Sequence, residues 1–230
     1  MLDERIRRGM SAQLAERRRR LEAGEQALGW KIGFGATSAM QALGIDRPLV
    51  GYLMRSAILD SAASLSFADF AKVAVEPEIA VYLGSGLDHG SDKAAIAASI
   101  AGLGAAIEIA DVAFPPTAGI EAILSGNIYQ KAVMLGAVDP RRAGATLTGL
   151  AATVTVNGAS IDVPDNLEAN TGPILDVVAV LADTLAAVGE RLQAGELVIV
   201  GSIVPPFFPP AGTSIRYTLG EAPPLSIRIV

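Results

Sequence analysis

Apolar residues along this chain gather mostly in strand-length runs, separated by loops rich in Gly, Pro, Asp and Ser, with helical spacing between some of them. Residues 3–27 predict an exposed amphipathic helix with sparse anchors at Ile6, Leu14 and Leu21, ending near Gly24. Strand-like runs follow at Gly29–Gly35 and Leu49–Leu53, with a helical turn at Ala39–Leu43 capped by Thr37 or Ser38 between them. A loop covers Asp60–Ala71, and a long apolar run occupies Val73–Gly84. Ser91 is placed to cap a helix reaching about Leu103. The strand Gly104–Asp111 comes next, and Pro115-Pro116 stops it.

In the second half, residues 119–130 predict a short helix that breaks near Ser125-Gly126-Asn127, followed by a strand at Ala132–Gly136. Thr146–Val156 alternates apolar and hydroxylated residues and meets Asn157-Gly158, a hairpin signal. Asn170 or Thr171 is placed to cap a helix with Pro173 in its first turn, closed by Gly189. Its stripe of Ile174, Val177, Val178, Leu181 and Leu185 is core spacing. Leu197–Ser202, a proline-rich loop at Pro205–Pro210 and strands at Thr213–Leu219 and Leu225–Val230 complete the chain. Strands in runs with few helices between them favour an α+β fold over a doubly wound sheet. The expected division is an N-terminal helical segment, 1–27, and one domain over 28–230.

The long run at Val73–Gly84 carries two carboxylates, Glu76 and Glu78. In an extended strand they share a face, with Cα atoms roughly 6–7 Å apart. Glu108 sits likewise in an apolar run, Gly104–Asp111. Such a pattern arises commonly on a solvated strand face, which needs no metal. It would equally let three carboxylates hold a hard cation such as magnesium, with positions left for water. Pro77, between the first two, lacks a ladder donor and so marks an edge or a bulge. Lys31, among large apolar neighbours, is either a snorkelling surface side chain or a pocket cation for an anionic substrate.

Composition narrows the chemistry. Hydrophobic residues make up 51% and charged residues 18%, which excludes disorder as the main state. The net charge of −6 argues against a nucleic-acid surface, and the basic run Arg17–Arg20 reads as a solvated helix face. There is no cysteine, which removes thiolate catalysis and cysteine-bound zinc. His89, the only histidine, lies in a turn-like Gly-Leu-Asp-His-Gly segment, so a Ser-His-Asp triad has no ready base. No apolar run is long enough for a membrane span and no signal pattern opens the chain, so a cytoplasmic location is expected.

Taken in order, Lys31-Ile32-Gly33, Glu76-Pro77-Glu78-Ile79-Ala80, Ile107-Glu108-Ile109 and Ala194-Gly195-Glu196 with Gly201-Ser202 resemble the 2-keto-4-pentenoate hydratase and oxalocrotonate decarboxylase group of the fumarylacetoacetate hydrolase superfamily. The resemblance covers about residues 28–230. It implies a mixed-β roll or barrel with a few flanking helices, and Mg²⁺ or Mn²⁺ held by Glu76, Glu78 and Glu108. Lys31 would be the pocket lysine, and Ser202 and Asn127 would lie at the substrate. The implied activity is hydration of a 2-oxo-4-enoate or its dienol in aromatic catabolism. Alternatives are decarboxylation of an oxalocrotonate-like diacid, carbon–carbon hydrolysis of an acylpyruvate, and a non-catalytic partner role. The hydrolysis typically recruits a histidine or lid glutamate, and a lone loop His89 counts against it. The implied partners are a small anionic 2-oxo acid, further copies of the chain, and a homologous decarboxylase or hydratase. Two positions depart from the group: Leu49 stands where its hydratases have aspartate, and Gly126-Asn127-Ile128-Tyr129 where they have Asp-Asn-Ala-Ser.

Overall fold

A computed structural model describes residues 2–230. Helix α1 (Glu4–Glu22) opens on the Asp3 side chain, which accepts from the backbone N–H of Arg5. Its inward stripe is fuller than expected. Ile6, Met10 and Leu14 are buried in the main core, and Gln13 and Arg17 are buried with them. Leu21, expected as an anchor, is only half-buried.

The arginine run is likewise not a plain solvated face. Arg17 lies 4.5 Å over the ring of Trp30 and is ion-paired with Glu190 and Glu196, while the Trp30 indole N–H donates to Glu196. Arg20 pairs with Glu25 and sits over Tyr52. Helical periodicity puts Ile6, Met10, Gln13, Leu14 and Arg17 on one stripe, and a guanidinium can enter it by stacking on an aromatic face.

Strands β1 (Ala27–Gly33) and β2 (Leu49–Met54) pair antiparallel, with helix α2 (Thr37–Leu43) between them. Neither Thr37 nor Ser38 caps α2; its cap position is Ala36, which makes no side-chain bond. Strand β3 (Ile58–Leu59) lies just before the expected loop and β4 (Ala62–Leu65) within it. β4 forms because its partner near the C-terminus supplies a parallel ladder that local sequence cannot reveal.

Strand β5 (Val73–Leu83) and helix α3 (Lys93–Ser99) precede β6 (Ile100–Asp111). The cap of α3 is Asp92, not Ser91. The helix stops at Ser99 because Ile100–Leu103 pair with β5, so the full length of β6 lies along β5. Helix α4 (Ile120–Ser125) and a 3-10 turn over Asn127–Tyr129 lead into β7 (Gln130–Leu135).

Strands β8 (Ala152–Val156) and β9 (Ala159–Ser160) form the expected hairpin, with Asn157 and Gly158 at φ 52° and 81°. Helix α5 (Ile174–Ala186) buries the expected apolar stripe. Its first N–H is capped by Glu168 across the turn, not by Asn170 or Thr171. The last strands are β10 (Leu197–Ser202), β11 (Ser214–Leu219) and β12 (Leu225–Ile229).

A curled mixed sheet of seven strands, in order β2-β1-β10-β5-β6-β7-β3, carries the long central strands. A five-stranded sheet, β4-β12-β11-β8-β9, packs against it and buries Tyr217, whose hydroxyl donates to the Glu78 carbonyl. The architecture is α+β, as the strand runs predict. Among the described residues no helix is long and apolar enough to cross a membrane.

Candidate metal centre

Strand pairing brings the three acidic residues together. Glu76 and Glu108 are direct cross-strand partners on β5 and β6, and Glu78 stands two residues along on the same face of β5. One oxygen from each lies within 4.8 Å of the others. Like charges directly opposed across a ladder are destabilising, so this placement calls for positive charge between them. Lys31 supplies part of it: its ammonium donates to Glu108 and to the backbone carbonyl of Ile128.

Burial makes the cluster consequential. Glu78, Glu108 and Lys31 are 0%, 1% and 2% exposed, and Glu76 is half-buried. Burial first, and then the charge of Glu108, push the Glu76 carboxyl up to about 7, with Lys31 opposing the rise. Burial pushes Glu78 well above the usual range, with Glu108 and Glu76 adding to it.

Glu78 Oε2 accepts from the backbone N–H of Gly201, but Glu78 Oε1 is buried with no hydrogen-bond partner. An orphaned carboxylate oxygen beside two more carboxylates fits a hard divalent cation that takes oxygen ligands.

Pro77 explains how two site residues flank a proline inside a central strand. Its carbonyl accepts from the Ile203 N–H, so its missing donor faces β10. The edge or bulge expected in this strand falls on its neighbour: the β10 register shifts between Ile199 and Ser202, while β5 pairs with β6 in unbroken register through Pro77. The shift also places Ser202 opposite Glu78, with its hydroxyl 3.3 Å from the Pro77 carbonyl.

Two glycines make room on the β1 and β2 side. A Cβ at Gly51 would stand 3.0 Å from the Asn127 side-chain oxygen and from Lys31 Cγ, and one at Gly33 would stand 2.6 Å from Ile128.

Asn127, expected at the substrate, is spent on backbone. Its amide donates to the Tyr52 carbonyl and accepts from the Tyr52 N–H, both at 2.9 Å, in the manner of one more strand on the edge of β2. That grip sustains a left-handed turn in which Asn127, Ile128 and Tyr129 have φ of 51°, 51° and 62°. Left-handed backbone costs roughly 1–2 kcal/mol per non-glycine residue and is least tolerated by a β-branched one. The turn presents the Ile128 carbonyl to Lys31. Asn127→Ala is expected to cost about 2 kcal/mol or more, read as a lowered urea midpoint, because it strands two buried backbone groups of Tyr52.

Of the cluster, Glu76 and Lys31 reach a cavity of about 270 Å³ and form its polar end with Ser202, while Glu78 and Glu108 are not among its lining residues. The rest of its wall is chiefly apolar, with Phe34, Val112, Ile128, Tyr129 and Phe208 prominent. Phe208 and Pro206 bring the proline-rich loop to the rim, and backbone bonds between Phe207 and Val75 pin that loop to β5. Tyr129 was visible in the sequence only as a departure from the resembled group. Its ring lies 4.9 Å from that of Phe114, and its hydroxyl is buried without a partner. Leu49 is fully buried, and His89 is exposed in a turn away from the cavity lining.

No protein-family model matches the chain. A 4-oxalocrotonate decarboxylase from a Pseudomonas species is 23% identical over 198 residues, covering 86% of this chain and 76% of that protein. A 2-keto-4-pentenoate hydratase of Paraburkholderia phymatum is 29% identical over 191 residues, covering 79% and 70%. Among solved structures, 4-oxalocrotonate decarboxylase from Pseudomonas putida G7, complexed with magnesium and adipate, superposes with a TM-score of 0.86 at 22% identity, over 96% of this chain and 85% of that one. Other structures of the same fold come from the fumarylacetoacetate hydrolase superfamily.

Proposed function

We propose that this chain, a homologue of the 2-keto-4-pentenoate hydratases and 4-oxalocrotonate decarboxylase with the fold of the fumarylacetoacetate hydrolase superfamily, is a metal-dependent hydro-lyase that adds water to a 2-oxo-4-enoate or its 2-hydroxy-2,4-dienoate tautomer. The observation that carries the reading is the cluster of Glu76, Glu78 and Glu108 with Lys31 against it, from which Glu76 and Lys31 line the polar end of a chiefly apolar cavity. A magnesium or manganese ion held by those three carboxylates would supply Lewis acidity toward a 2-oxo acid.

The chain's own groups divide the remaining work. Lys31 has N–H bonds to Glu108 and Ile128, which leaves a third N–H for an anionic oxygen of the substrate. Asn127 acts as a positioning residue by fixing the turn that holds Lys31. Ser202 directs its hydroxyl hydrogen to the Pro77 carbonyl, and its oxygen can accept from the cavity side. In the reaction the enol proton leaves the C2 oxygen and a proton arrives at C5. Water oxygen then bonds to C4, and a proton goes to C3. The apolar wall keeps other water from the reacting carbons. A cytoplasmic location and self-association belong to the same reading. Exposed Ile58 and Val138 offer apolar surface for the latter.

With Mg²⁺, 2-hydroxypenta-2,4-dienoate is expected to lose its dienol absorbance in the presence of the protein, and chelation of the metal is expected to stop the loss. No turnover of this acid or of longer analogues under metal-replete conditions would refute the hydro-lyase.

A further inference from the structure

We infer that the cavity selects a 2-oxo acid with one carboxylate and an uncharged, apolar tail, and disfavours a dicarboxylate; the inference rests on the function proposed above. Similarity of fold alone does not lead there, because the solved Pseudomonas putida decarboxylase holds adipate, a dicarboxylate. What leads there is the distribution of charge around this cavity.

Among the described residues, Lys31 is the one cation in its lining, and it is already engaged by Glu108. The wall away from the acidic cluster is built from Phe34, Val112, Pro116, Ile128, Tyr129 and Phe208. The neutral polar groups there are few. The Asn170 amide gives one N–H to the Ser202 carbonyl and keeps a second, and Thr171 and the buried hydroxyl of Tyr129 stand beside it; none of the three is a cation. Lys72 is exposed at the rim, with its ammonium 4.2 Å from the Phe208 ring centroid.

A second carboxylate in this space would lose its water without gaining a buried cation, and burying an unpaired charge is among the costliest exchanges a site can make. A methyl or vinyl end would instead replace water against apolar side chains, which is favourable.

The test uses two unreactive acids of equal length, 2-oxohexanoate and 2-oxoadipate, titrated calorimetrically into the Mg²⁺-loaded protein, with pyruvate as a probe of the head alone. The monoacid is expected to bind at least ~10-fold more tightly than the diacid. In Ala39→Lys, which adds a cation to the cavity lining from α2, a helix with no buried residues, that ratio is expected to fall by ~5-fold or more. Pyruvate binding with the diacid as tight as the monoacid overturns the tail selectivity and leaves the hydro-lyase standing. Failure of pyruvate to bind the loaded protein overturns both.

Discussion

Glu78→Gln is expected to make the metal-free protein more stable, by about 1–2 kcal/mol, while removing its divalent-metal-dependent activity. The native carboxyl is fully buried, has one oxygen without a partner and faces two more acidic groups, so the folded protein either ionises it at a cost or takes up a proton. Glutamine is isosteric and keeps an acceptor for the Gly201 N–H. A neutral amide beside the oxygens of Glu76 and Glu108 would replace charge repulsion with donors turned toward acceptors. Glu108→Gln is expected to move stability the other way, by about 3 kcal/mol, because it removes the carboxylate that the buried Lys31 ammonium donates to directly. Urea unfolding in excess chelator reads both variants. Changes of the same sign would mean that the cluster is not a strained charge assembly awaiting a cation.

The second large effect is a pH dependence that metal removes. The Glu76 carboxyl is pushed from its ordinary 4.5 up to about 7, chiefly by burial and secondly by the charge of Glu108. Between those values the folded state holds a proton that the unfolded chain has lost. The associated stability is therefore full below pH 4.5 and is lost as pH rises through about 7. A shift of that size corresponds to about 3 kcal/mol. The loss is isolated by comparison with Glu76→Gln, which removes the titrating group. Metal and protons compete for the same oxygens, so affinity for Mg²⁺ is expected to rise over this window, with proton release on binding. A metal-free stability difference between the native protein and Glu76→Gln that stays flat from pH 5 to 8 would contradict the clustered carboxylates.

Glu76 and Glu78 were legible in the sequence because period-two alternation states which residues share a strand face. Pro77 marked an irregularity, read as an edge or a bulge of its own strand, and the register shift is found on the facing β10 instead. The placement of Glu108 opposite Glu76 was not legible from pattern, because register between two strands depends on their whole length of pairing. The family resemblance implied Glu108 only as a third ligand, without its register. Arg17 escaped the reading because charge runs usually face water, whereas Trp30, Glu190 and Glu196 are drawn to it from distant parts of the chain. Asn127 was found as a residue but not in its contacts. Its backbone mimicry depends on the open edge of β2, which appears only when the sheet has formed. The same limit hid β4 and turned Ile100–Leu103 from helix to strand.

The most direct measurement is the anomalous difference density of a crystal soaked in Mn²⁺. The expected result is a single peak about 2.1 Å from one oxygen each of Glu76, Glu78 and Glu108, the distance a hard, oxygen-bound divalent cation requires. Well-ordered carboxylates with no peak between them, or a peak only elsewhere on the surface, would contradict the assignment of these residues as metal ligands.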